Sequence, residues 1–195
     1  MHLTLAIITA ALAKPPTDDV TWQTVRDDIV HIECAEEGGD FWCRADGVIA
    51  APIDDVAKTL RDMPTHQEKF ELVRSIRDLG DDTLHITLDY PSVFSDRDYV
   101  ARYRHTSEGD VLRVIWEPVV HPDAPPVGSA VRLSKFEGEW RLAPTDAGTT
   151  VRYLWHAEPG GSFPEWAKPL ARKRAGHEAL KDLAAAQGSS LVKRD

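Results

Sequence analysis

The chain is poor in cysteine, methionine and positive charge. Its 195 residues hold two Cys and two Met, and 23 Lys and Arg stand against 32 Asp and Glu, for a formal net charge of −9. That balance argues against nucleic acid as a partner, because phosphate binding needs a basic surface. It also weakens an electrostatic pull toward anionic membranes. Long apolar runs are scarce: the run from Leu3 to Ala13 is too short to span a bilayer, and no other segment is a candidate. Catalytic signatures are missing as well. There is no Gly-x-Ser-x-Gly, no Gly-rich phosphate loop and no His-Glu-x-x-His. The eight His are scattered, with none at metal-ligand spacing with another His or Cys. Nothing in these patterns points to a metal or a cofactor.

The length suits one domain with a sizeable core. The start is different in kind. Residues 1–13 end in Ala11-Leu12-Ala13, a small-x-small cleavage pattern, and Lys14-Pro15-Pro16 then breaks any helix. The expectation is a cleaved signal peptide over 1–13, a linker over 14–20, a folded domain over 21–188 and a flexible tail over 189–195, with the protein periplasmic or secreted. If the segment is not a signal, the location is cytoplasmic.

Cys34 and Cys43 flank Gly38-Gly39 symmetrically. A two-residue turn at those glycines makes 37 face 40, and counting outward makes Cys34 face Cys43. As a non-hydrogen-bonded pair their Cα atoms would lie about 4.5 Å apart, within disulfide reach. An oxidising compartment then predicts a Cys34–Cys43 disulfide.

Along the chain, Trp22 to Val48 reads as a hairpin, and Val56, Ala57 and Leu60 mark a helix closed by Met63-Pro64. The period then switches to two, giving strands over 72–79, 82–90, 98–105, 111–119, 130–142 and 149–157. A long helix over 162–187 closes the chain, with Ser162-Phe163-Pro164-Glu165 as its capping box and a kink expected at Pro169. An antiparallel sheet with one long helix is an α+β class.

Several stretches resemble the START (StAR-related lipid transfer) domains. They are Tyr90-Pro91 through Arg97-Asp98-Tyr99-Val100, Val131-Arg132 with Glu139-Trp140-Arg141-Leu142-Ala143-Pro144, Gly148-Thr149-Thr150-Val151-Arg152-Tyr153, and Glu158-Pro159-Gly160-Gly161 through Pro164-Glu165-Trp166. The likeness covers about residues 25–187. It implies a helix-grip fold, a curved antiparallel sheet wrapped around the C-terminal helix, with a tunnel for one hydrophobic molecule such as a lipid or sterol. In sterol-binding relatives an Arg follows the Arg-Asp pair by five or six residues. Tyr103 holds that place here, and Arg102 points outward.

Alternation selects the cavity face. On the strands it takes Leu84, Ile86, Leu88, Tyr99, Ala101, Tyr103, Leu112, Val114, Trp116, Phe136, Trp140, Val151, Tyr153 and Trp155, with Gly176 and Leu180 from the helix. That face carries no Asp, Glu or Lys. The tyrosines can hydrogen-bond a ligand or, equally, backbone and water. Pro122, Pro125, Pro126 and Gly128 mark a loop that the resemblance makes a gate over the tunnel. Lys168, Arg172, Lys173 and Arg174 form a basic cluster, suited to transient membrane contact or simply to a solvated face. The expected partner is a hydrophobic small molecule, and the expected state a monomer. The alternative is a helix-grip cyclase or dehydratase, for which His105 is the best acid–base candidate. A third reading is an interaction module with a filled core.

Overall fold

The computed structural model describes residues 20–91, 94–126 and 128–193. The expected signal peptide, and the linker up to residue 19, lie outside them. The chain opens with β1 (Gln23–Asp27), β2 (His31–Glu37) and β3 (Asp40–Ile49), followed by α1 (Ile53–Arg61) and α2 (His66–Lys69). Next come β4 (Val73–Asp78), β5 (Thr83–Leu88), β6 (Arg97–Glu108), β7 (Val111–Pro118), β8 (Val131–Arg132), β9 (Phe136–Thr145) and β10 (Gly148–Ala157). A 3-10 turn at Glu165–Ala167 leads into α3 (Lys168–Ala185), and β11 (Leu191–Val192) ends the chain.

The strands form one sheet in the order β1-β2-β3-β10-β9-β7-β6-β5-β4, with β11 beside β3 and β8 beside β6. Only the β6–β8 pairing is parallel among the described residues. This is the α+β helix-grip architecture that the resemblance implies.

The first hairpin follows its turn chemistry. Gly38 and Gly39 have φ of 63° and 88°, a region that costs glycine nothing. The register runs Glu37↔Asp40 through Cys34↔Cys43. The two cysteines are disulfide-bonded, with Cα atoms 4.1 Å apart. The segment read as one hairpin is in fact three strands, since β1 pairs with β2 as well.

α3 lies against β2, β3 and β10. A side chain at Gly176 would start 2.6 Å from the Trp155 ring and 3.1 Å from Ala45 Cβ, so glycine is what lets helix and sheet approach this closely. Leu180 and Leu183 of the same helix are fully buried. α1 covers a neighbouring part of the inner face, against β7, β9 and β10, with Val56, Ala57 and Leu60 buried.

Four expectations need correction. The strand expected over 130–142 is split at Leu133–Lys135 into β8 and β9. No side-chain cap forms at Ser162: α3 begins at Lys168, preceded by the 3-10 turn. Pro169 therefore falls in the first helical turn, where its missing N–H breaks no bond, and it causes no interior kink. The expected flexible tail instead includes β11, which pairs Leu191 and Val192 with Ile49 and Val48, and Ala50 N–H donates to the Ser190 carbonyl.

Candidate functional site: an aromatic cavity opening on a cleft

Between α3, the α2–β4 segment and the sheet lies a cavity of about 160 Å³. Ile86, Leu88, Tyr99, Tyr103, Trp116, Phe136, Trp140, Tyr153 and Trp155 line it, as strand alternation placed them. Their rings interlock: Trp140 and Trp155 stack on Tyr153 at centroid distances of 4.3 and 4.7 Å, and Tyr99 lies 4.2 Å from Phe136. The other residues expected there do not reach it. Leu84, Ala101, Val114, Val151 and Leu180 are buried in the packed core, with Leu112 also partly buried against it, in one cluster with the α1 residues. Gly176 is filled by its contact with Trp155.

The sequence reading missed the opposite wall. Met63, His66, Phe70, Leu72, Val73 and Ile76 close one end, and α3 contributes Lys168, Ala171, Arg172, Ala175, Glu178, Ala179 and Asp182. The expectation of a lining without acid or base is thus corrected. The missed signal was helical spacing: 168, 172, 175, 179 and 182 fall on one face, small in the middle and charged at both ends.

Polar groups inside are few. The Tyr99 and Tyr103 hydroxyls lie 3.4 Å apart. Burial pushes the Tyr99, Tyr103 and Tyr153 phenols upward, so they remain neutral. The buried Trp116 Nε1 has no hydrogen-bond partner among the described residues. At the far end Asp182 accepts from the Glu71 N–H at 2.8 Å, and burial raises its carboxyl pKa. His66 bonds the Thr59 carbonyl at 2.8 Å, and burial lowers its pKa. His105, the acid–base candidate, is exposed and outside the lining, because β6 runs on past the cavity.

Beside the cavity lies a larger cleft of about 810 Å³, lined by Thr21, Gln23, Val25, Glu36, Phe41, the Glu158–Gly161 loop, Phe163 and the start of α3. Ala157, Pro159, Lys168 and Arg172 line both spaces and so stand at the boundary, or neck, between them. The loop beside the neck is held by Arg97, a residue of the Arg-Asp pair. Buried, it donates from Nε to the Pro159 carbonyl at 2.9 Å and lies over the Tyr90 and Phe163 rings.

The expected gate is elsewhere. Pro122, Pro125, Pro126 and Gly128 line neither space. Their loop is tied down instead: Arg132 donates to the Ala124 and Pro125 carbonyls, and Arg77 to the Asp123 carbonyl. Asp98, fully buried, joins Arg132 at 2.6 Å and His85 Nε2 at 2.7 Å beneath it. Asp98 alternates with the cavity residue Tyr99, so this loop covers the outer face of the sheet. As the register expected, Tyr103 lines the cavity and Arg102 is exposed.

The architecture is the START-type helix-grip fold, which solved structures share. The chain is similar to a STAR-related lipid transfer protein fragment from Xanthomonas axonopodis. The identity is 27%, the match covers 86% of this chain and 98% of that one, and the TM-score is 0.75. Human StAR-related lipid transfer protein 5 shares the fold at 16% identity, covering 88% of each chain with a TM-score of 0.79. By sequence the chain is 35% identical over 83 residues to an uncharacterized protein of Pseudomonas aeruginosa, a match spanning 40% of either chain. No family model matches.

Proposed function

We propose that the protein is an exported carrier of one hydrophobic molecule, a lipid or similar, held between α3 and the sheet. The observation that carries this reading is the ring-lined cavity with a wide cleft beside it. At about 160 Å³ the cavity is smaller than the roughly 300–1,000 Å³ of pockets for drug-sized ligands. It takes the apolar end of a ligand, and the cleft takes the rest. Desolvation of apolar surface supplies affinity, at about 25 cal/mol per Å² before ordering costs. The disulfide supports an oxidising compartment.

Delivery would use the surface beside the cleft. Trp166 is 73% exposed and Leu170 63%, one helical turn apart and next to the basic Lys173. Such a Trp-Leu pair with a nearby cation suits shallow, transient insertion at a membrane interface. Native mass spectrometry of the purified protein, followed by organic extraction, tests the carrier reading. A stoichiometric bound lipid is expected. An empty protein that takes up no added lipid, sterol or fatty acid would remove it.

A second reading, catalysis on an apolar substrate, draws on Asp182, the cavity acid whose proton burial makes harder to lose. It requires turnover of a polyketide-like substrate that Asp182→Asn abolishes. Mere binding without turnover counts against it.

A further inference from the structure

Arg172 stands out among the charges of the cavity and cleft. It is half-buried at the neck, and among the described residues it makes no hydrogen bond or ion pair. Its guanidinium lies over the Phe41 ring, 4.0 Å from the centroid. That stacking fixes the guanidinium plane and leaves its edge N–H donors free. Glu36 and Glu165 act on it only at a distance, and Glu165 is paired with Lys168. Desolvating an arginine without a carboxylate beside it is costly, so the position has a use that stability does not supply. Lys168 lies one turn earlier on the same face, also at the neck.

A planar fork with unused donors matches a carboxylate or phosphate, whose two oxygens accept parallel bonds. The place of the fork matters equally. Arg172 lines both the aromatic cavity and the open cleft, so a molecule with its apolar end among the rings has its head within reach of the guanidinium. We infer that Arg172, helped by Lys168, anchors an anionic head group, making the ligand an amphiphile that carries a carboxylate or phosphate. The inference rests on the carrier reading and names its ligand class.

Isothermal titration of the full chain with dodecanoate, dodecyl phosphate, dodecanol and inorganic phosphate tests it. The two anionic amphiphiles should bind at least about tenfold more tightly than dodecanol, and inorganic phosphate should bind far more weakly than either. Arg172→Gln should bring both anions down to the level of dodecanol, and Arg172→Lys, which keeps the charge without the fork, should fall between. An unchanged thermal midpoint shows that the variants are folded. Equal binding of dodecanol and the anions, or a preference that survives in Arg172→Gln, overturns the anchor while leaving the cavity reading standing. So does inorganic phosphate binding as tightly as dodecyl phosphate, since the site then ignores the tail. No binding by any of the three alkyl compounds overturns both the anchor and the carrier.

Discussion

The two walls of the cavity are built on different chemistry. The sheet wall is a layer of interlocked rings from β6, β7, β9 and β10, with hardly a free polar atom. The α3 wall is made of alanines, with Lys168 and Arg172 at one end and Glu178 and Asp182 at the other. Rings stacked on a pleated surface give a stiff, adhesive floor. Small residues on a helix leave room, and charges at its ends give direction. What the difference teaches is that the sheet sets how strongly an apolar group is held, while the helix decides how much of it fits and which way round.

Within α3 itself the same division recurs on adjacent residues. Leu180 faces the core and is fully buried, while Ala179 lines the cavity. Leu180→Ala should be the most damaging substitution considered, costing about 2–5 kcal/mol in urea unfolding as the core cannot collapse around it. Ala179→Leu should instead change stability by less than about 1 kcal/mol, because the added atoms enter space already empty, and should abolish lipid uptake. If the two substitutions cost the same, the helix does not divide as described.

The β2–β3 hairpin is the next place to probe, since it carries Phe41 beneath Arg172 and is closed covalently. The disulfide joins residues nine apart. Replacing both cysteines by serine should lower unfolding free energy by about 2–3 kcal/mol from loop entropy. Binding of neutral ligands, held by the aromatic wall, should persist in the folded fraction.

The smallest expected effect is at the acidic end of α3. Burial holds the Asp182 carboxyl above its ordinary value of 3.8, so the folded state keeps this proton more tightly than the unfolded chain. Its contribution to stability is full below 3.8 and declines as pH rises through the folded value. Asp182→Asn keeps an acceptor for the Glu71 N–H and removes the charge. It should therefore gain on the wild type with rising pH across that window, as read from urea midpoints at pH 3.5 and pH 7. A gap that does not widen with pH would mean that the carboxyl is not held protonated by burial.

Much of this was legible beforehand, and for identifiable reasons. The glycine pair fixed the hairpin register and so the pairing of Cys34 with Cys43, because turn geometry is local. Alternation chose the correct face of β5, β6, β7, β9 and β10, since the side-chain period of a strand is two. It could not say which part of that face another element covers. That is why Val114 and Val151, on the same face as Trp116 and Tyr153, lie in the packed core shared with α1. Pro169 was misread because a proline signals a break or a turn, not whether it falls at a helix start or inside it, and the gate role of the Pro-rich loop came from the resemblance rather than from its own residues. His105 shares its parity with Tyr103, but only the tertiary structure shows the strand running beyond the cavity.

The sequence by itself determined the α+β class, the faces of the strands from β5 to β10 and the facing of Cys34 by Cys43, all of which follow from periodicity and turn spacing, while the helix-grip form came from the resemblance. The tertiary structure decided the size of the cavity, the charged face of α3 toward it, and the neck where Ala157, Pro159, Lys168 and Arg172 meet. These depend on how closely a helix approaches a sheet, which one glycine at 176 sets through its contact with Trp155. A distance between elements far apart in the chain is a property of packing, and no local pattern encodes it.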